Sequence, residues 1–135
     1  MLTLRENMNS AIKKQILPWL RSHGFKGSLP HFRRPTQGGI HLLTFQFDRN
    51  GGGLIIEIAR CKIDGITTPW GKHIEPNKVT AWDVEPNNRV RIQHLQGSGT
   101  EHWFRFDDGN VDKCAQQILS KLPEAEHWLL SVETE

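Results

Sequence analysis

At 135 residues the chain is the size of one ordinary domain, with 36% hydrophobic residues, five Trp and six Phe to anchor a core, and no Tyr, which removes phenol chemistry from its possible acids and bases. No apolar run approaches the ~20 residues needed to cross a bilayer, and the first ten residues have neither a basic leader nor an apolar core, so a cytoplasmic protein without membrane association is expected. The net charge of +2 hides an asymmetry: residues 1–60 carry nine basic and three acidic side chains, residues 61–135 eight and twelve. Such a split marks either a basic binding face or charges that interleave when the halves fold together.

In chain order, Thr3-Leu4-Arg5-Glu6 has the spacing of a capping box, and Leu4, Met8, Ala11, Ile12 and Ile16 then recur on one helical face to about Ser22. Pro18 lies inside this pattern and predicts a kink or a tightened last turn. Gly24 is the expected left-handed cap, with Phe25 folding back. Two short extended pieces follow between Phe25 and Arg34, and Pro35 to Gly39 forms a turn.

Ile40 to Cys61 is the clearest segment. Leu43, Phe45 and Phe47 alternate on one face; past the turn at Asn50-Gly51-Gly52-Gly53, so do Leu54, Ile56 and Ile58. This predicts a hairpin with one buried side. Glu57 falls on the other face, where a solvated side of the sheet would hold it in water. Lys62 to Asn88 contains Pro69, Pro76, Pro86, Trp70 and Trp82 and no sustained period; it is either a functional loop or holds elements that periodicity does not reveal.

Arg89 to Leu95 and His102 to Phe106, separated by the Gln96 to Thr100 turn, read as a second hairpin. Asp108 or Asn110 then caps a helix striped by Val111, Cys114, Ala115, Ile118 and Leu122, and Pro123 opens a final helix carrying Ala125, Trp128, Leu129 and Val132. Consecutive strands joined by tight turns predict a single α+β domain over 1–135. Its antiparallel sheet, built from hairpins, has an N-terminal helix and two C-terminal helices packed on one face.

Several of these residues also carry a likeness. The helix ending in Leu20 to Lys26 as Leu-x-x-x-Gly-Phe-Lys, the strand His31-Phe32-Arg33-Arg34, the strand with Phe45-Gln46-Phe47, and His102-Trp103-Phe104 before C-terminal helices together resemble the bacterial domain of unknown function 4304 family (DUF4304) over nearly the whole chain. The resemblance implies a small bacterial α+β domain of uncharacterised role and carries over no catalytic residues. The Lys62 to Asn88 stretch shows least correspondence.

No motif names a reaction. The seven histidines show no HxH, HxxxH or HExxH spacing; a metal site would have to be assembled from separate strands, for instance His41, His94 and His102, so no metal and no cofactor is assigned. Cys61 and Cys114 read as two free, buried thiols. Gly51-Gly52-Gly53 and Gly97-Ser98-Gly99 are hairpin turns, since neither opens a helix as a phosphate loop must. Arg33, Arg34, Arg49 and Arg60, interleaved with Phe32, Phe45 and Phe47, would make a nucleic-acid face only if the rings were not needed in the core.

The preferred reading is a non-enzymatic protein-binding module of immunity or antidote type, with Trp70, Trp82, Arg33 and Arg60 as candidate binding residues and another protein as partner. The alternative is a small-ligand site or enzyme in which Glu57, Gln46, His41 and Arg60 converge only in three dimensions. Nucleic-acid binding ranks third.

Overall fold

A computed structural model describes residues 2–49, 51–92 and 103–131. Helix α1 (Leu4–Ala11) starts at the expected capping box: the Thr3 hydroxyl accepts from the Glu6 amide at 3.1 Å and the Glu6 carboxylate from the Thr3 amide at 2.8 Å. The helix then widens into a π-helical turn, Ile12–Ile16, before resuming as α2 (Leu17–Ser22). In that turn the Leu17 amide reaches back to the Ile12 carbonyl. The helix thus expands ahead of Pro18 where a tightened turn was expected. One residue is added to the turn, and Met8, Ile12, Ile16 and Leu20 all stay buried. Gly24 closes the helix at φ +88°, and the Phe25 amide bonds the Leu20 carbonyl at 2.9 Å.

Strands β1 (Lys26–Ser28), β2 (His31–Thr36), β3 (Gly39–Phe47) and β4 (Gly53–Cys61) form an antiparallel meander. The β3–β4 hairpin has the register that its alternation demands: Leu43 faces Ile58, Phe45 faces Ile56 and Phe47 faces Leu54. Asn50, in its turn, lies outside the described residues.

Beyond β4 the sheet departs from expectation. The two short strands β7 (Arg89–Arg91) and β8 (Phe104–Arg105) do not pair with each other; both pair with β4, at Glu57–Ala59 and at Gly53–Leu54 respectively. Each is antiparallel to the same strand, so they run in the same direction and cannot form a hairpin with one another. The nine residues of β4 offer an edge long enough to hold both end to end. The turn expected at Gln96 to Thr100 lies outside the described residues.

Helix α3 (Val111–Ser131) is one helix of 21 residues that passes through Pro123, where two helices were expected. Asn110 caps it, its side-chain oxygen accepting from the Lys113 amide at 3.0 Å. The proline removes one backbone bond at a cost of ~3 kcal/mol. Burial offsets that cost, because Cys114, Ala115, Ile118 and Leu122 before the proline and Ala125 and Leu129 after it form one continuous stripe against the sheet. Val132 lies outside the described residues.

The helices cover one face, where Phe25, Phe32, Leu43, Phe45, Leu54, Ile56, Ile58, Phe104 and Phe106 meet the helical stripes. The opposite face is covered too. Lys62 to Asn88 contains a small second sheet of β5 (Ile66–Thr67) and β6 (His73–Ile74), followed by 3₁₀ turns at Ala81–Asp83 and Pro86–Asn88. It lays Val79, Ala81 and Val84 over Ile40, Leu42, Ala59 and Cys61 as a separate apolar cluster. Gly65, at φ +96°, lets this cover fold tightly, since a Cβ there would run into the Ile74 carbonyl oxygen.

Candidate functional site

Register assigns every polar side chain of the sheet to one face or the other, because opposed residues of antiparallel strands point the same way. On the helix face, Arg34 lies opposite His41 and His41 opposite Arg60. Arg34 forms a two-pronged ion pair with Glu126 of α3, 2.6 Å and 2.9 Å, and donates to the His23 carbonyl at 2.8 Å and to His41 Nδ1 from its Nε at 3.1 Å. Burial, seconded by the neighbouring Arg34 charge, pushes the His41 imidazole down to about 4. Arg60 stacks on Trp128 with its guanidinium carbon 3.8 Å from the ring centroid and donates to the Trp128 carbonyl at 3.0 Å. These contacts fasten the last turns of α3 to the sheet.

The opposite face carries a polar row across four strands: His31 lies opposite Thr44, Thr44 opposite Glu57, and Glu57 opposite Arg91. His31 Nδ1 and the Thr44 hydroxyl are 3.0 Å apart. Glu57 is only 8% exposed, and its two oxygens lie 3.7 Å from Arg89 and 3.5 Å from Arg91. The expectation of a water-facing carboxylate is therefore corrected. The Lys62 to Asn88 cover and the side chains of Arg89 and Arg91 bury most of the carboxylate, and the two arginines supply the compensating charge.

Trp82 stands at the edge of this row, its indole meeting the His31 ring edge-on at 4.9 Å while remaining 46% exposed. With Gln46, Glu57, Arg89 and Arg91 it lines a shallow concavity of about 410 Å³. A second cleft, of about 560 Å³, lies beside β5 and β6, lined by residues including Cys61, Asp64, Thr67, His73 and Asp83.

The four residues expected to converge are split by the sheet. Glu57 and Gln46 share the row face; His41 and Arg60 are on the helix face. Of the four candidate binding residues, Trp70 projects from the turn between β5 and β6 with 78% of its surface exposed, and Trp82 flanks the row. Arg33 lies over the covered face with its Nη2 donating to the Val79 carbonyl at 2.9 Å, and Arg60 is 7% exposed against Trp128. Phe32 and Phe45 are each 1% exposed in the core, so the interleaved ring-and-arginine face weighed for nucleic acids does not form. His94 and His102 lie outside the described residues, whereas His41 is engaged by Arg34.

Both cysteines are free and buried; burial pushes the Cys61 thiol up to about 11 and the Cys114 thiol up to about 12. Among the described residues no helix is long and apolar enough to cross a membrane.

What the sequence reading missed is the partnership of Glu57 with β7. Arg89 and Arg91, two residues apart in an extended run, signalled one shared face, but the strand they would join was not legible.

Fold and site together define a small α+β domain with a row of polar side chains, His31, Thr44, Glu57 and Arg91, on the sheet face turned away from its helices. The match to a family model settles the kinship: residues 16–132 fit the family described as Domain of unknown function (DUF4304), and the chain belongs to it. No curated protein and no solved structure matches the chain.

Proposed function

We propose that this protein is a non-enzymatic domain that binds another protein, using the β5–β6 hairpin as its anchor. The observation that carries this reading is Trp70. Its indole is 78% exposed at the hairpin tip, with no ring, cation or hydrogen-bond contact among the described residues. Water gains nothing from an indole held out in this way, whereas a partner pocket that buries it gains ~25 cal/mol for each Å² of apolar surface removed from water. Ile63, 57% exposed in the same cover segment, adds apolar surface nearby. Lys72 and His73 flank the tip and supply the polar rim that interface anchors commonly have. By analogy with small single-domain bacterial proteins, a toxin encoded alongside is the partner to test first, in the cytoplasm.

The test is affinity recovery of the native protein and of Trp70→Ala from the host under matched conditions, followed by reconstitution with the purified candidate. A partner that binds the wild type stoichiometrically and binds Trp70→Ala at least ~30-fold more weakly supports the reading. Equal binding of both forms removes Trp70 as the anchor.

A further inference from the structure

The polar row keeps a carboxylate and an amide, Glu57 and Gln46, that the protein-binding reading does not use. The Glu57 side chain is 11% exposed, and among the described residues its two oxygens meet Arg91 at 3.5 Å and Arg89 at 3.7 Å as ion pairs and accept no hydrogen bond. Gln46, next to it on the same face, has no side-chain hydrogen-bond partner among the described residues either. Both open onto the 410 Å³ concavity, which Trp82 walls with a half-exposed indole whose plane His31 fixes edge-on.

The chemistry of a ligand follows from these groups. A carboxylate with both oxygens free of hydrogen bonds is matched by two adjacent N–H donors on one planar edge. A cationic guanidinium would offer that pair but would meet Arg89 and Arg91, so the donors belong to a neutral ring. Gln46 adds an amide able to donate to a carbonyl or accept from an amine. Trp82 favours a flat, fused ring, which can stack on the exposed indole face. Arg91, with its side chain 45% exposed and Glu57 as its one contact among the described residues, has guanidinium donors to spare for an anionic tail.

We propose that this concavity binds a fused heterocycle carrying the amino-oxo-pyrimidine edge, and that its ligand is a guanine mononucleotide. The ring N–H and exocyclic amine donate to Glu57, the base stacks on Trp82, and the phosphate sits on Arg91 with Arg89 behind it.

The experiment is a titration of the full chain with GMP, guanosine, AMP, inorganic phosphate and folate, followed by Trp fluorescence and by amide NMR. GMP binding saturates, perturbs the Trp82 indole resonance and is at least tenfold tighter than AMP binding; guanosine is weaker than GMP by the loss of the phosphate. Glu57→Gln lowers GMP affinity at least tenfold and erases the preference over AMP, with the thermal melt showing that the variant folds. Arg91→Ala, at an exposed site, weakens GMP and leaves guanosine unchanged. Folate binding tighter than GMP overturns the assignment of a guanine mononucleotide. AMP binding as tightly as GMP, inorganic phosphate competing at the same concentration as GMP, or no saturable change with any probe overturns the proposal. None of these outcomes depends on Trp70, so the protein-binding reading stands or falls separately.

Discussion

The sharpest stability prediction concerns His41. It is 7% exposed, and its Nδ1 accepts from Arg34, which simultaneously holds Glu126. Burial, with the Arg34 charge second, lowers its pKa from 6.5 to about 4. The folded protein therefore keeps the ring neutral over a range in which the unfolded chain protonates it. Its contribution is fully present above pH 6.5 and is lost as pH falls from 6.5 to about 4. At ~1.4 kcal/mol per pH unit, the loss is roughly 1.4 kcal/mol at pH 5.5 and roughly 2.5 kcal/mol at pH 4.5. His41→Asn keeps an acceptor near the Nδ1 position and cannot titrate. Glu126 is also lowered, from 4.5, so its stabilisation is present above pH 4.5 and is lost as pH falls below that, at the acid end of this range. His31, lowered mainly by burial, contributes in the same direction in both proteins and cancels in the difference. Urea unfolding of wild type and His41→Asn at pH 7.0, 5.5 and 4.5 measures the effect. The wild type loses the amounts above relative to the variant; parallel pH profiles for the two proteins would show that His41 is not held neutral by the fold.

Three further outcomes are expected. Phe45→Ala, which empties a position 1% exposed beneath Phe32, destabilises by about 3–5 kcal/mol in urea unfolding, and a loss under 1 kcal/mol would mean that the ring is not in the core. Pro123→Ala, which restores a backbone amide inside α3 without disturbing the buried stripe, raises stability by about 1–2 kcal/mol; a drop in melting temperature would show that the proline is required there. Cys61 and Cys114, buried with pKa values of about 11 and about 12, resist thiol reagents at pH 7.5 in the folded protein and react promptly in denaturant. Rapid modification of either native thiol would contradict its placement.

The elements legible in the sequence are those whose determinants are local. Thr3 and Glu6 define a cap within one helical turn, and the alternation of Leu43 to Phe47 against Leu54 to Ile58 fixes both register and buried face. What was not legible depends on distant partners. Whether Arg89–Arg91 joins β8 or β4 is decided by an unoccupied edge of β4, which no property of the short strands reveals. The cover over the second face rests on Val79, Ala81 and Val84, too few and too widely spaced among prolines to show a period. The same applies to the site. Glu57 stood out as a carboxylate on a known face, but its row with His31, Thr44 and Arg91 exists only once four strands have their registers. His41 and Arg60, chosen as its companions, sit three positions along their strands from Thr44 and Glu57, and an odd number of steps in a strand changes the face.

Whether the indole of Trp70 anchors a partner protein can be read by ¹⁹F NMR of protein labelled with 5-fluorotryptophan, with Trp70 assigned through Trp70→Phe. On addition of the reconstituted partner, the Trp70 resonance should shift or broaden stoichiometrically, while that of Trp128, held against Arg60, stays in place. A complex that forms and leaves the Trp70 resonance at its free position would show that Trp70 is not the anchor.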